Sequence, residues 1–399
     1  MDFKTFKKSG HWPTLLGAFL YFDISFMIWV IIGSLGIFIA KDFNLDATTK
    51  GFLVAVPLLG GALLRLPMGM LADRIGSKKT ALLGLALTTV PLLLGWFAAQ
   101  TLPQLIVIGL FLGIAGSSFA VALPMASRWY PPEQQGLAMG IAGAGNSGTV
   151  IAAFFGPRLA EAFGWHAVFG FALIPLALVT VYFALFTKDS PNQPAPVGWS
   201  SYLALCKEPD ALLFCLFYMI TFGGFVGFAS FLPIFFHDQY DVAKVMAGNI
   251  TALCVFGGSF CRPIGGYMAD RIGGVRALSS LYMGVALLLA LGAILLPLPA
   301  MVILLFSIMM CLGMGNGAVF QLVPQRFKRQ IGTISGLVGC AGGLGGFCLP
   351  LALGTLKDRT GSYGAGFFLF AMVCVVTLVV LRVVQSNWRK EWQTLEGRI

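Results

Sequence analysis

Long apolar runs, each bounded by Pro, Gly or charged residues, dominate the pattern along the chain. Six fall at 14–40, 48–72, 79–99, 103–127, 134–157 and 166–186, and six more at 209–236, 244–269, 275–295, 299–324, 331–356 and 364–384. A bilayer-crossing helix needs about 20 apolar residues, and only structures that satisfy their own backbone hydrogen bonds survive in lipid. Twelve transmembrane helices are therefore predicted. Between the sixth and seventh runs lies a polar stretch, 188–208, with Pro191, Pro194 and Pro196. It reads as a linker between an N-terminal half, 1–187, and a C-terminal half, 209–399. The first run is longer than a signal-peptide core and no small-residue cleavage site follows it, so it reads as a retained span.

Composition agrees with this pattern: 58% of the 399 residues are apolar and only 11% are charged, where soluble domains carry about 25% charge. The net charge of +10 would suggest a nucleic-acid partner in a soluble chain, but its distribution reports topology instead. On the side of the two termini the runs leave 18 Lys and Arg, and on the opposite side six: Lys41, Lys50, Arg158, Lys244, Lys357 and Arg359. By the positive-inside rule both termini are expected in the cytoplasm, and the short loops suit the inner membrane of a bacterium. Several chemistries recede. There is no GxxxxGK[ST] phosphate loop, the three histidines have no metal-ligand spacing, and the eight cysteines form no CxxC pair. No enzyme, metal, cofactor, nucleic acid or obligate protein partner is expected.

The halves repeat one another. Gly60-Gly61-xxx-Arg65-xxx-Gly69-xxx-Asp73-Arg74-Ile-Gly76 returns as Gly257-Gly258-xxx-Arg262-xxx-Gly266-xxx-Asp270-Arg271-Ile-Gly273, at an offset of 197. Weaker echoes set Gly113 opposite Gly313, Pro124 opposite Pro324, and Gly136-xxx-Gly140 opposite Gly332-xxx-Gly336. Duplicated transporters of this kind place their site near the bilayer midplane between the halves. The loop Gly69-xxx-Asp73-Arg74-x-Gly76-x-Lys78-Lys79 and its partner resemble the signature of the major facilitator superfamily. Two glycine-rich segments sharpen the likeness: Gly140-Ile-Ala-Gly143-Ala-Gly145-Asn146-Ser-Gly148, and the stretch from Gly336 to Gly346 that holds Gly342 and Gly343. Together with an arginine in each of the second and eighth runs, they resemble the nitrate/nitrite porter family. That resemblance implies an anion clamped by Arg65 and Arg262 and assisted by Asn146, the aromatic Phe119 and the tyrosine Tyr218.

The residues themselves support a shared task for the arginines. Each lies eight residues before the loop Asp, about 12 Å along a helix at ~1.5 Å per residue, and a charge at that depth costs at least ~2.5–3.5 kcal/mol. Neither run supplies a nearby carboxylate, which weighs against the alternative of an arginine that snorkels or caps a carbonyl. The planar guanidinium fork suits a planar oxyanion. Most of the glycines read as helix-packing positions, with Gly145, Gly342 and Gly343 as places where an absent Cβ leaves room for a small anion. Asn146 is either an amide donor to that anion or a tie between helices. Asp23, the carboxylate deep inside the first run, is either a proton carrier, since burial disfavours its ionised form, or a structural group fixing the first helix. Asp73, Arg74, Asp270 and Arg271 are expected as latches between helix ends. The expected function is secondary active import of nitrate, or nitrite, with protons by alternating access, feeding nitrate assimilation. Nitrate/nitrite exchange with Asp23 structural is the alternative, and a passive anion channel a third reading.

Overall fold

A computed structural model describes residues 6, 7, 9–190, 198–327 and 331–391. The prolines of the linker and the outermost cations, including Lys4, Lys8, Lys328, Arg329 and Arg398, lie outside the described residues, and so do the side chains of Arg389 and Lys390. Twelve helices are long and apolar enough to cross a membrane. They are α1 (Trp12–Phe43), α2 (Ala47–Ile75), α3 (Ser77–Phe97), α4 (Leu102–Ser127), α5 (Leu137–Phe163) and α6 (Trp165–Phe186), then α7 (Pro209–Tyr240), α8 (Lys244–Ile272), α9 (Gly274–Gly292), α10 (Leu298–Arg326), α11 (Gly332–Thr360) and α12 (Gly364–Trp388). Each contains the core of one expected run. A short helix, Trp199–Leu205, lies in the linker.

The two halves meet through equivalent helices. Across the seam α1 packs on α7, α2 on α11, and α5 on α8. A pseudo-two-fold relation is visible at single positions: a Cβ at Gly33 would lie 2.7 Å from Ser230 Cα, and the two residues are 197 apart. Within the halves, Gly113 of α4 abuts Gly60 of α2 and Gly313 of α10 abuts Gly258 of α8, where an added Cβ would come to 2.2 and 1.9 Å of backbone atoms. Small residues at these crossings let the backbones close in, as helices in lipid require. Helices α3, α6, α9 and α12 hold the periphery and turn large apolar side chains outward, among them Val90, Leu178, Leu287 and Val379. Such a surface is at home in lipid and would aggregate in water.

The seam is tight on the face opposite the linker. There Lys50 of α2 pairs with Asp238 of α7 at 2.6 Å. Asp358 of α11 accepts hydrogen bonds from the backbone N–H of Ala47 and Thr48, at 3.2 and 2.7 Å, and from the Thr48 hydroxyl at 2.6 Å. This carboxylate caps a helix of the other half, at the end where four N–H groups lack intrahelical partners. Toward the linker face, Gly140 and Gly143 of α5 and Gly332 of α11 have no neighbour among the described residues within 4 Å of an added Cβ, so the seam is less filled there.

Candidate anion site

Three local breaks in the spans shape the centre of the molecule. Helix α1 is interrupted at Val30. In α4 the first segment stops at Gly116, and the second starts at Phe119. Across that break Ala120 donates to the Ser117 carbonyl at 3.0 Å, so it does not take the carbonyl of Gly116, four residues back. That carbonyl accepts instead from Arg65 Nε at 3.2 Å. In α5 a 3-10 turn, Ala144–Ser147, carries Asn146 and packs against α1 and α8. Mid-helix 3-10 turns commonly mark functional positions.

Arg65 is fully buried. Its guanidinium carbon lies 5.2 Å from the Trp29 ring, 5.3 Å from Phe119 and 5.0 Å from Phe222. A second hydrogen bond runs from Nη1 to the carbonyl of Gly339 in α11, across the seam. Arg262 reaches the same place from α8, with its guanidinium carbon 5.8 Å from both Phe119 and Phe320. Phe119 thus lies under both cations, and aromatic faces stabilise desolvated guanidinium groups by about 0.5–2 kcal/mol. Tyr218 is fully buried, stacks on Phe222 at 5.0 Å and meets Phe320 edge-on at 4.9 Å. Its hydroxyl lies in the field of both arginines.

What these groups lack is as informative as what they touch. Among the described residues, the ion pairs are Lys50–Asp238, Arg128–Asp73 and Arg326–Asp210, and none involves Arg65 or Arg262. Among the described residues, Arg65 Nη2 and both amide atoms of Asn146 are buried without a hydrogen-bond partner, and Arg262 Nη1 and the Tyr218 hydroxyl have at most each other. Orphaned buried polar groups are rare, because each costs about 1–3 kcal/mol. This set consists mostly of donors around two unpaired positive charges, and a ligand that is anionic and accepts hydrogen bonds complements it.

The glycines take other parts than expected. A Cβ at Gly145 would come 2.8 Å from the Phe19 carbonyl of α1, and one at Gly343 would come 2.8 Å from Ala62 of α2. Both positions are filled by a neighbouring helix and leave no room for an anion. At Gly342 the space is taken by the Tyr218 ring, 2.6 Å from an added Cβ, so this glycine seats a site residue. Asp23 accepts a hydrogen bond from the Ser147 hydroxyl at 2.6 Å. Ser147 closes the turn that carries Asn146. Of the loop residues, Asp73 binds Arg128 at the end of α4, at 2.8 Å, a bond within one half. Arg271 lies over Tyr267 of its own helix at 4.9 Å, and Arg74 and Asp270 end α2 and α8 on the same face. The signature loop also engages the start of the linker, where Lys78 N–H donates to Asp189 at 2.7 Å.

Three residues of the centre were not picked out from the sequence: Trp29, Phe222 and Phe320. Phe222 carried a usable signal, one helical turn after Tyr218.

Twelve spans in two related halves around a buried cationic centre define a membrane carrier, and residues 17–350 match the model of the Major Facilitator Superfamily. The fold is shared with the crystal structure of a bacterial homolog of the human lysosomal transporter Spinster in an inward-facing, unoccupied conformation. The TM-score there is 0.66 at 18% identity, covering 96% of this chain and 97% of the other. More similar in sequence is the Nitrite extrusion protein of Bacillus subtilis, 34% identical over 374 residues, 92% of this chain and 93% of that protein. The Probable nitrate transporter NarT of Staphylococcus epidermidis is 34% identical over 362 residues, 89% of this chain and 92% of its own length. The chain belongs to the major facilitator superfamily and, within it, to the nitrate/nitrite porter family.

Proposed function

We propose that the protein carries nitrate or nitrite across the plasma membrane by alternating access, with the anion held between Arg65 and Arg262. The observation that supports this reading best is the convergence of two unpaired guanidinium groups from opposite halves on one ring, Phe119. Two facing cations repel, and a monoanion between them relieves the repulsion, so binding draws the halves together. Asn146 and the Tyr218 hydroxyl supply neutral hydrogen bonds to the same ligand. The termini and linker face the cytoplasm, and the looser side of the seam opens there.

Uptake is coupled to protons through Asp23. A monoanion entering a negative-inside cell is opposed by about 2.3 kcal/mol per 100 mV, and a cotransported proton offsets that penalty. Asp23 is bonded to Ser147, the neighbour of Asn146, so a change in its protonation is felt at the turn bearing a site residue. The same contact favours a second reading, nitrate/nitrite exchange, in which Asp23 only fixes the turn against α1. Uptake of labelled nitrate into proteoliposomes, with the pH gradient, voltage and internal nitrite varied independently, separates the two. Symport predicts accumulation driven by an inward pH gradient and lost in Asp23→Asn. Exchange predicts uptake that needs internal nitrite and is indifferent to that substitution, while a channel never accumulates the anion.

A further inference from the structure

Asn316 of α10 is fully buried, and neither its amide oxygen nor its amide nitrogen has a hydrogen-bond partner. Its direction follows from its neighbours. A Cβ at Gly315 would lie 2.5 Å from Thr221 of α7, and one at Gly317 would lie 2.1 Å from the Arg262 carbonyl of α8. With about 100° of rotation per residue, Asn316 points into the wedge between these two helices. Phe320, one turn later on the same side, packs against Phe119 and Tyr218 and lies 5.8 Å from the Arg262 guanidinium. The amide therefore faces the anion site from the side of Arg262.

The internal repeat gives this position a meaning. Because Leu112-Gly113 and Pro124 of α4 return as Leu312-Gly313 and Pro324 of α10, at an offset of 200, Asn316 corresponds to Gly116. In the N-terminal half a side chain is excluded there, since a Cβ would lie 2.3 Å from Trp29. The counterpart of Trp29 at the 197 offset is Val226, whose smaller side chain leaves space. Conversely, Asn146 of α5 has Gly342 as its counterpart in α11. Among the described residues, each half thus holds one buried amide with neither polar atom partnered, from α5 in the first and from α10 in the second.

We propose that Asn316 is a substrate-binding residue whose amide donates to an oxygen of the anion held by Arg262, and that it thereby favours nitrate over nitrite. The inference rests on the reading of the site as an anion clamp. A guanidinium edge engages two oxygens. Nitrate has a third for the amide to meet, whereas nitrite offers it only oxygens that the guanidinium already engages, and such mismatches discriminate between close analogues.

The test is equilibrium binding of nitrate and of nitrite to the purified full-length protein, for the wild type, Asn316→Ser, Asn316→Gly and Arg262→Lys. Asn316→Gly installs the residue that the other half carries. Both Asn316 variants are expected to lose about tenfold or more in nitrate affinity, with a smaller loss for nitrite, so that the preference between the two falls. Unchanged affinities, or equal losses for both anions, would overturn the proposal and leave Asn316 a packing residue. Failure of the clamp itself is distinguishable, because then Arg262→Lys would bind both anions like the wild type.

Discussion

Arg65 and Arg262 occupy equivalent positions in the repeat but unequal surroundings. Arg65 is bound to the carbonyls of Gly116 and Gly339 and boxed by three rings, whereas Arg262 has two rings and partial exposure. An ammonium cannot reproduce the parallel donors of a guanidinium, and hydrogen bonds to charged groups contribute about 1.5–3 kcal/mol. Arg65→Lys and Arg262→Lys are each expected to reduce nitrate affinity by at least roughly tenfold. Arg65→Lys should also lower the thermal unfolding temperature, because it abandons a carbonyl that bridges the halves. Isothermal titration and thermal unfolding in detergent would check both. Near-normal affinity in the two variants would refute the clamp. These arginines were legible in the sequence because a charge deep in an apolar run is an anomaly. Of the aromatic box only Phe119 was, through the family resemblance: among 35 Phe and eight Trp, periodicity cannot tell a ring that lines a cavity from one that packs a helix.

At the scale of elements, span number and the repeat were readable from hydropathy and spacing, while the breaks in α1, α4 and α5 were not. No Pro lies at Val30, Ser117 or Asn146, so the irregular turns are set by tertiary contact, chiefly by the close approach of α5 to α1. A Cβ at Gly148 would stand 1.8 Å from the Asp23 carbonyl oxygen, and that atom is backbone, which cannot swing away. Gly148→Ala is therefore expected to destabilise the protein by about 1–3 kcal/mol or more, the usual cost of overpacking, and to displace the turn bearing Asn146. Gly143→Ala, five residues earlier and facing open space, should be neutral or slightly stabilising, because Ala outranks Gly in helices by up to about 1 kcal/mol. Thermal unfolding of the two variants side by side isolates the contact from helix propensity. Equal midpoints would show that α1 and α5 are not held at this distance.

Over the whole molecule, Lys50, Asp238 and Asp358 act between halves on the face opposite the linker, while the signature-loop pair Asp73–Arg128 stays within one half. Of the residues expected as latches, Asp73 binds a helix end of its own half, while a clasp across the seam lies on the opposite face, at Lys50–Asp238 and at Asp358 on the α2 N-terminus. Sequence alone could not pair these residues, which are 188 and about 310 positions apart. For alternating access to proceed, this clasp has to break each time the site opens on that face. The Lys50–Asp238 side chains are about one-fifth exposed, so the pair contributes only about 0.2–1 kcal/mol and yields readily. A double variant, Lys50→Gln with Asp358→Ala, removes both parts and should shift the population toward the state open on that face by on the order of tenfold. Hydrogen exchange reads this directly: amides at the start of α2 and near the end of α7, which face each other across the seam, should exchange faster together. Faster exchange in α2 alone would mean that the variant merely frays a helix end, and wild-type protection on both sides would mean that the clasp does not hold the seam.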